Sequence, residues 1–351
     1  MLPLMQPLKL GSIEASNRIF MAPLTRSRAS GADGRTPNQL MKEMYVQRAS
    51  AGLIFSEATA VSAMGVGYRN TPGIWSDEHA KNWKVITDAV HAAGGKMVLQ
   101  LWHVGRISDP YYLDGQLPVS SSAIQPAGHV SQIRPLKEFG TPRALELKEI
   151  PQVIESYRKG AGYAKQAGFD GVEIHGANGY LPDQFLQDGA NKRTDQYGGP
   201  IENRAKFLLE SVDAAISVWG VDRVGVHLSP QPSPSIQDSN PMATFGYVAQ
   251  QLNKRKIAFI FVREAEGPGR IVPEIKKLFK GPVIGNERFS FDSAEAAINR
   301  GEIDAVAFGK DFIANPDLVK RYQIKADLNK PVPETFYAEG AKGYTDYPQL
   351  S

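Results

Sequence analysis

Residues 223–264 read RVGVHLSPQPSPSIQDSNPMATFGYVAQQLNKRKIAFIFVRE and contain one strand–helix–strand unit. The apolar runs 223–229 and 257–264 are short and continuous, which is typical of parallel strands covered on both faces. Between them, residues 243–255 carry apolar side chains at helical spacing. This stretch therefore predicts a parallel α/β fold. Similar apolar runs occur at 18–24, 52–58, 96–102, 171–176, 281–286 and 305–310.

Eight such strands in 351 residues predict an α/β fold with a single (β/α)8 TIM barrel, forming one domain over residues 1–351. A doubly wound open sheet is the alternative, but it normally places a G-x-G-x-x-G motif after its first strand. The sequence contains no such motif. Ser76 is a candidate N-cap for one of the intervening helices. The further helices are predicted at 76–93, 149–167, 202–218 and 292–300.

One connection is unusually long. Residues 105–147 follow the third strand and are rich in proline, glycine and serine. A connection of this length in a compact domain is usually a functional lid or an extra subdomain. In a barrel it would overhang the C-terminal mouth, where active sites lie. We expect this segment to form a lid that influences substrate choice.

Composition narrows the class of protein. Hydrophobic residues make up 42% of the chain and charged residues 22%, as in soluble globular enzymes. The net charge is +3 and the basic residues are dispersed, so no nucleic-acid partner is expected. The absence of cysteine excludes disulfides, thiolate nucleophiles and cysteine-ligated metal sites. With no transmembrane run and no signal pattern, we expect a cytoplasmic protein without a membrane partner.

The strand ends carry mostly amides, hydroxyls and aromatic rings, with few carboxylates. A metal-dependent hydrolase needs several converging histidine and acidic ligands, and a glycosidase needs a pair of acids. Glu57 and Glu264 lie at strand ends, but nothing marks them as a pair. No strand interior has the lysine of a Schiff-base aldolase. No metal site is expected, and the mouth suits a planar cofactor with many hydrogen-bonding groups, such as flavin mononucleotide (FMN).

A phosphate corner is also indicated. Barrels often hold phosphate with the loops after strands seven and eight and a short helix. Here these loops read GNE (285–287) and FGK (308–310), with small residues, backbone N–H donors and one cation. Taken alone, the pattern could also be an ordinary solvated turn.

Six motifs in the chain are distinctive as a set. The longest and most specific is HGANGYLPDQFLQDGANKRTDQYGGPIENRAKF (175–207). The others are NRIFMAPLTRSRA (17–29), QRASAGLIFSEAT (47–59), QLWHVGRIS (100–108), AFGKDFIANPDL (307–318) and GYTDYP (343–348). Together they resemble the old yellow enzyme family of FMN-dependent ene-reductases, and the resemblance runs from about residue 3 to residue 348. It implies an NAD(P)H-dependent enzyme that reduces activated alkenes, with NADPH or NADH as hydride donor.

The resemblance implies a role for each matching residue. His175 and Asn178 would donate hydrogen bonds to the substrate oxygen, and Tyr180 would protonate the substrate α-carbon while FMN N5 delivers hydride to the β-carbon. Thr25 would bond the flavin C4 carbonyl and tune its potential. The flavin ring would be held by Pro23, Leu24, Ala58 and Gln100, the phosphate by Asn286, Gly309 and Lys310, and the substrate pocket would be lined by Tyr68, Trp102 and Tyr344.

Three positions depart from the family pattern. Many members have arginine where this chain has His227, facing the negative charge of the reduced flavin. A histidine supplies that charge only when protonated, and its ordinary pKa is about 6.5. We expect His227 to face the flavin and to make the stability of reduced FMN depend on pH. Lys310 replaces an arginine, and Glu287 needs its carboxylate turned away from the phosphate.

The sequence leaves alternative functions and the oligomeric state open. A nitrate-ester or nitroaromatic reductase would use the same oxygen-binding donors, and a flavin-binding protein with little turnover is a further alternative. A metal-dependent barrel lyase, a fourth reading, would be colourless. The expected partner is a small-molecule substrate, and the chain could be a monomer or a homodimer.

Overall fold

Eight parallel strands form a closed barrel in the computed structural model, which describes residues 2–350. Each strand pairs with the next in chain order, and the last pairs with the first, so the sheet has no free edge. All eight predicted strands are confirmed. They are β1 (Ile19–Met21), β2 (Ile54–Phe55), β3 (Met97–Trp102), β4 (Gly171–Gly176), β5 (Val224–Leu228), β6 (Phe259–Arg263), β7 (Val283–Asn286) and β8 (Ala305–Phe308).

Helices connect the strands and form the outer layer. The predicted helices are confirmed to within two residues at each end, and Ser76 caps its helix by accepting a hydrogen bond from the His79 N–H. The short helix α9 begins directly after β8, as the phosphate corner requires. The helices are α1 (Gln39–Val46), α2 (Asp77–Ala92), α3 (Ile150–Gln166), α4 (Leu181–Leu186), α5 (Ile201–Trp219), α6 (Pro241–Arg255), α7 (Val272–Leu278), α8 (Phe291–Asn299), α9 (Lys310–Ala314) and α10 (Leu318–Ile324).

Side chains of each barrel strand alternate between the helical layer and the barrel interior. In β5, Val226 and Leu228 pack with the helical layer, whereas His227 faces inward against the Phe261 ring of β6, 4.2 Å away. The same alternation in the neighbouring strands turns further polar side chains inward near the C-terminal end of the barrel. They are Gln100, Glu173, His175 and Arg263.

Below these polar groups the barrel interior is filled by aromatic rings. Phe55 packs edge-on against Phe259 and Phe261, at 5.6 and 5.3 Å between ring centroids. An N-terminal hairpin, Leu8–Leu10 with Ile13–Ala15, closes the bottom against the same cluster. The interior is therefore packed solid, and chemistry is confined to the C-terminal mouth.

Two long segments border that mouth. Residues 105–147 contain one short parallel pair, Val119–Ser120 with Arg143–Ala144, and contribute Val130 and Phe139 to a cluster around Trp102. Near the C-terminus, the carbonyls of Thr335 and Phe336 accept hydrogen bonds from the buried Arg28 guanidinium. Between residues 2 and 350, no helix combines the length and apolarity needed to cross a membrane.

Candidate active site

A cavity of about 740 Å³ opens at the C-terminal ends of the barrel strands. Seven of the residues predicted to bind the cofactor line it. They come from the ends of β1, β5, β7 and β8, which are far apart in sequence, so the closed barrel is what brings them together. They are Pro23, Leu24, Thr25, His227, Asn286, Gly309 and Lys310.

The two inward histidines form a stacked pair beside the cavity. The His175 and His227 rings are 5.1 Å apart and inclined by only 7°. Gln100 Nε2 lies 2.7 Å from Glu173 Oε2 and 3.0 Å from His227 Nδ1, and it donates to both. Because Nδ1 of His227 accepts this bond, the ring proton belongs on Nε2. That atom is buried and has no hydrogen-bond partner among residues 2–350.

Both histidines are neutral in this environment. Burial, with a smaller contribution from the Arg263 charge, lowers the pKa of His175 to about 3. Burial lowers the pKa of His227 well below its usual value, with smaller contributions from His175 and Arg263. The carboxyl group of Glu173, 3.8 Å from His227, has its pKa raised to about 8 by burial and adds little negative charge at neutral pH. Each imidazole therefore offers a single N–H donor.

Tyr180 sits at the centre of an aromatic group next to these histidines. Its ring packs edge-on against His175 at 4.9 Å and Trp102 at 5.1 Å. Its hydroxyl lies 2.7 Å from the Tyr68 hydroxyl. Burial raises the Tyr180 pKa well above its ordinary value, and the neighbouring Tyr68 and Tyr337 raise it further. The phenol therefore keeps its proton at neutral pH.

Asn178 lines the cavity on a tight turn after β4. Its backbone is left-handed, with φ of 59°, and the following Gly179 has φ of 77°. The Asn178 backbone N–H donates to Ser229 Oγ at 2.7 Å, and its side-chain Oδ1 accepts from Arg263 Nη1 at 3.0 Å. The Asn–Gly pair suits this backbone, since both residues tolerate positive φ. The turn brings the carboxamide to the same cavity as His227.

The phosphate corner lies at the other end of the cavity. Lys310 begins α9 and is exposed there, next to Gly309. Glu287, expected to turn its carboxylate away, places it 2.7 Å from Arg263 Nε. The Asn286 side chain donates to the Ala307 carbonyl at 2.7 Å and ties β7 to β8. Among residues 2–350 the Lys310 ammonium has no ion-pair partner, and the nearby Glu287 carboxylate is paired with Arg263.

Not every predicted residue lines this cavity. Tyr344 is fully buried, and its ring packs under the guanidinium groups of Arg26 and Arg28, at 5.0 and 4.5 Å. Ala58 is buried in the cluster that surrounds Trp102. Sequence reasoning missed Phe336 and Tyr337, which do line the cavity, and no motif in the C-terminal segment marks them.

The site accommodates FMN on structural grounds. A buried N–H without a partner costs stability, so the free Nε2 of His227 indicates a hydrogen-bond acceptor supplied from outside the chain. Lys310 and Gly309 at the far end offer a cation and an uncrowded backbone, which suit a phosphate. One flat, elongated ligand with a phosphate tail would satisfy both ends.

Comparisons with known proteins identify the family of the chain. Residues 3–329 match the profile of the NADH:flavin oxidoreductase / NADH oxidase family. The chain belongs to the old yellow enzyme family. Among curated relatives, putative 12-oxophytodienoate reductase 4 of Oryza sativa subsp. japonica is 44% identical over 363 residues, covering 99% of this chain and 93% of the relative. The 12-oxophytodienoate reductase 2 of Arabidopsis thaliana is 42% identical over 362 residues, covering 99% and 96%.

Solved structures of the old yellow enzyme family have the same fold. Morphinone reductase in complex with tetrahydroNAD superposes with a TM-score of 0.95 at 47% identity, covering 99% of this chain and 98% of that one. The old yellow enzyme homologue from Zymomonas mobilis gives a TM-score of 0.95 at 44% identity, covering 99% of both chains. The chain is therefore an oxidoreductase of old yellow enzyme type, dependent on FMN and a nicotinamide cofactor.

Proposed function

We propose that this enzyme reduces activated alkenes, namely α,β-unsaturated carbonyl compounds, nitroalkenes and maleimides. FMN, held along the cavity between His227 and Lys310, would supply the hydride chemistry, with NAD(P)H as the reductant and the alkene β-carbon as the acceptor. The observation that carries the proposal is a group of three proton-bearing side chains beside the cavity. The Asn178 carboxamide lines it, the neutral His175 imidazole stacks on the cavity-lining His227, and the protonated Tyr180 phenol packs against His175.

His175 and Asn178 would bind the oxygen that activates the alkene. Hydride addition to the β-carbon builds negative charge on that oxygen, so donors aimed at it stabilise the transition state more than the ground state. An imidazole N–H from β4 and a carboxamide N–H from the next turn can aim at one atom. Because His175 is buried, its donor works in a low-dielectric site, where such bonds are strong.

Tyr180 would deliver the proton to the α-carbon. A phenol with a raised pKa is a poor source of free protons but a suitable donor to a carbanion-like carbon. The Tyr68 hydroxyl, 2.7 Å away, shares a hydrogen bond with the Tyr180 hydroxyl and would leave the Tyr180 proton for the substrate when Tyr68 is the donor. Trp102 packs against both rings and keeps them in place.

The cofactor would lie along the cavity from His227 to Lys310. We assign the flavin ring to Pro23, Leu24, Ala58 and Gln100, its C4 carbonyl to Thr25, and the phosphate to Asn286, Gly309 and Lys310. Residues 105–147 would act as the lid of the substrate pocket, since Val130 and Phe139 pack around Trp102. Tyr68 and Trp102 would contact the substrate, whereas Tyr344 is buried against Arg26 and Arg28.

Isotope labelling tests the proposed reaction. Reduction of 2-cyclohexenone in D2O should give cyclohexanone with one deuterium on the α-carbon, from the exchangeable Tyr180 hydroxyl. Reduction with nicotinamide deuterated at C4 should instead place deuterium on the β-carbon. Mass spectrometry and NMR of the product read out both positions. Formation of the allylic alcohol, or of no product from a flavin-loaded enzyme, would exclude alkene reduction.

Replacing Lys310 by methionine should weaken FMN binding about tenfold, because one charge-assisted contact to phosphate is lost. The loss should be larger at low salt, where an exposed charge is less screened. Lys310→Arg should retain the wild-type affinity, since it keeps the charge and its planar guanidinium can bind phosphate in a bidentate manner. Fluorescence titration of the apoenzyme with FMN at two ionic strengths measures this. Equal affinity of Lys310→Met and wild type at both would remove Lys310 from the phosphate site.

His227 should make the FMN potential depend on pH. The His227 imidazole is neutral in the surroundings of His175, Arg263 and Glu173. Negative charge added to FMN on reduction should raise the pKa of His227, so that the imidazole takes up a proton. At pH values below this raised pKa, the FMN potential should therefore fall more steeply with rising pH. The extra slope is about 30 mV per pH unit for one proton and two electrons. Spectroelectrochemistry should show this extra slope in wild type and not in His227→Gln. Identical slopes would mean that His227 does not sense the flavin charge.

A further inference from the structure

We propose that Arg263 is a positioning residue that fixes the Asn178 carboxamide with its N–H2 group toward the cavity. This inference rests on the proposed function, because it concerns the donors that bind the substrate oxygen. Arg263 Nη1 lies 3.0 Å from Asn178 Oδ1. A guanidinium group has only donors, so the amide atom that faces it must be the oxygen. The amide nitrogen is then left for the substrate.

Among residues 2–350, the contact with Arg263 is what fixes the orientation of the Asn178 amide. Its backbone is fixed by bonds from Asn178 N to Ser229 Oγ and from Gly179 N to Asp183 Oδ2. Rotation of the terminal amide by about 180° leaves those bonds unchanged. Within residues 2–350, the contact with Arg263 is the one hydrogen bond of the Asn178 side chain. Without it, the amide could present its oxygen and repel the substrate oxygen.

Arg263 is itself held in place. Its Nε donates to Glu287 Oε2 at 2.7 Å, and the β6–β7 register sets Arg263 beside Asn286. Glu287 reaches this position through a left-handed backbone with φ of 93°, followed by Arg288 with φ of 60°. Such conformations are costly for these residue types and persist only where the surroundings enforce them. Glu287, Arg263 and Asn178 thus form a chain of contacts from β7 to the turn after β4.

The Arg263 charge also acts on the neighbouring donors. It contributes to the lowered pKa of both His175 and His227, although burial contributes more. A neutral His175 keeps its proton through the reaction and acts as a hydrogen-bond donor. Arg263 therefore sets the orientation of one oxygen-binding donor and favours the neutral form of the other.

A double-mutant cycle tests the link between Arg263 and Asn178. The measurement is the dissociation constant of 4-chlorophenol, a planar ligand with one oxygen, from the change in FMN absorbance of the oxidised enzyme. Arg263→Met should weaken binding about tenfold, as expected for loss of the hydrogen bond from the Asn178 amide N–H to the ligand oxygen when that amide is no longer held in orientation. In an Asn178→Ala background the same substitution should change binding less than twofold. Glu287→Gln, which releases Arg263 without removing it, should weaken binding in the same direction by a smaller factor.

Arg288→Met is the matched control. Arg288 also lines the cavity and contacts Glu287, at 3.4 Å, but its side chain is 83% exposed, and among residues 2–350 the Asn178 side chain bonds to Arg263 and not to Arg288. This variant should bind 4-chlorophenol within twofold of wild type. The inference would be overturned if Arg263→Met changed the dissociation constant of 4-chlorophenol by the same factor with and without Asn178. It would also be overturned if neither Arg263→Met nor Glu287→Gln changed that constant. Failure of the proposed function would look different, because wild type itself would then bind no FMN or leave the alkene unreduced.

Discussion

Replacing Tyr180 by phenylalanine should lower the rate of alkene reduction by about 100- to 10,000-fold, the range for loss of a general acid. Phenylalanine keeps the edge-on contacts with His175 and Trp102, so the site should remain folded. Hydride transfer from NAD(P)H to FMN needs no proton on carbon and should stay close to the wild-type rate. Stopped-flow absorbance, which follows FMN reduction and reoxidation separately, distinguishes the two half-reactions.

A second variant and a second substrate provide controls for the Tyr180 prediction. Tyr68→Phe removes the neighbouring hydroxyl without removing the acid, so alkene reduction should fall by roughly tenfold or less, as expected for loss of one neutral hydrogen bond. Reduction of a nitroaromatic compound requires no α-carbon protonation, so any such activity should survive in Tyr180→Phe. A Tyr180→Phe variant that reduces 2-cyclohexenone at the wild-type rate would show that the proton comes from elsewhere.

Loss of either oxygen-binding donor should lower kcat/KM for 2-cyclohexenone by about 100- to 1,000-fold, as for removal of an oxyanion donor. His175→Ala and Asn178→Ala remove one donor each. Because the two donors address the same oxygen, the double variant should lose less than the product of the single effects. Steady-state kinetics with saturating NAD(P)H measures all three variants.

Side-chain chemistry can be separated from packing at both positions. Asn178→Asp keeps the size of the side chain and its contact with Arg263 but has no N–H donor, so it should be impaired at least as much as Asn178→Ala. His175→Asn restores one amide donor and should recover part of the activity. An Asn178→Asp enzyme with wild-type kcat/KM would contradict the donor role of Asn178.

The periodicity of the strands was sufficient to predict the barrel. Continuous apolar runs such as 223–229 can be buried on both faces only in a parallel sheet under helices, and eight of them close into a ring. The family motifs then predicted which side chains form the candidate site. His175, Asn178 and Tyr180 could be located this way because they lie within six residues of one another on a single strand end.

Features that depend on register between distant strands could not be predicted. The bond from Arg263 to Asn178 joins the end of β6 to the turn after β4, and the Glu287 contact adds the left-handed turn after β7. No local pattern encodes these distances. The neutral state of His227 likewise depends on burial and on the nearby Arg263 charge. For the same reason, a motif position alone did not show that Tyr344 packs between two arginines rather than against the cavity.

The visible spectrum of the purified enzyme, followed anaerobically through two additions, tests the proposed function most directly. We expect a yellow protein that bleaches on addition of NADPH or NADH and regains its colour on addition of 2-cyclohexenone. Bleaching without recovery would retain the flavin site and redirect the search for substrate to nitro compounds or oxygen. A colourless protein that takes up no added FMN would contradict the assignment of this cavity as a flavin site.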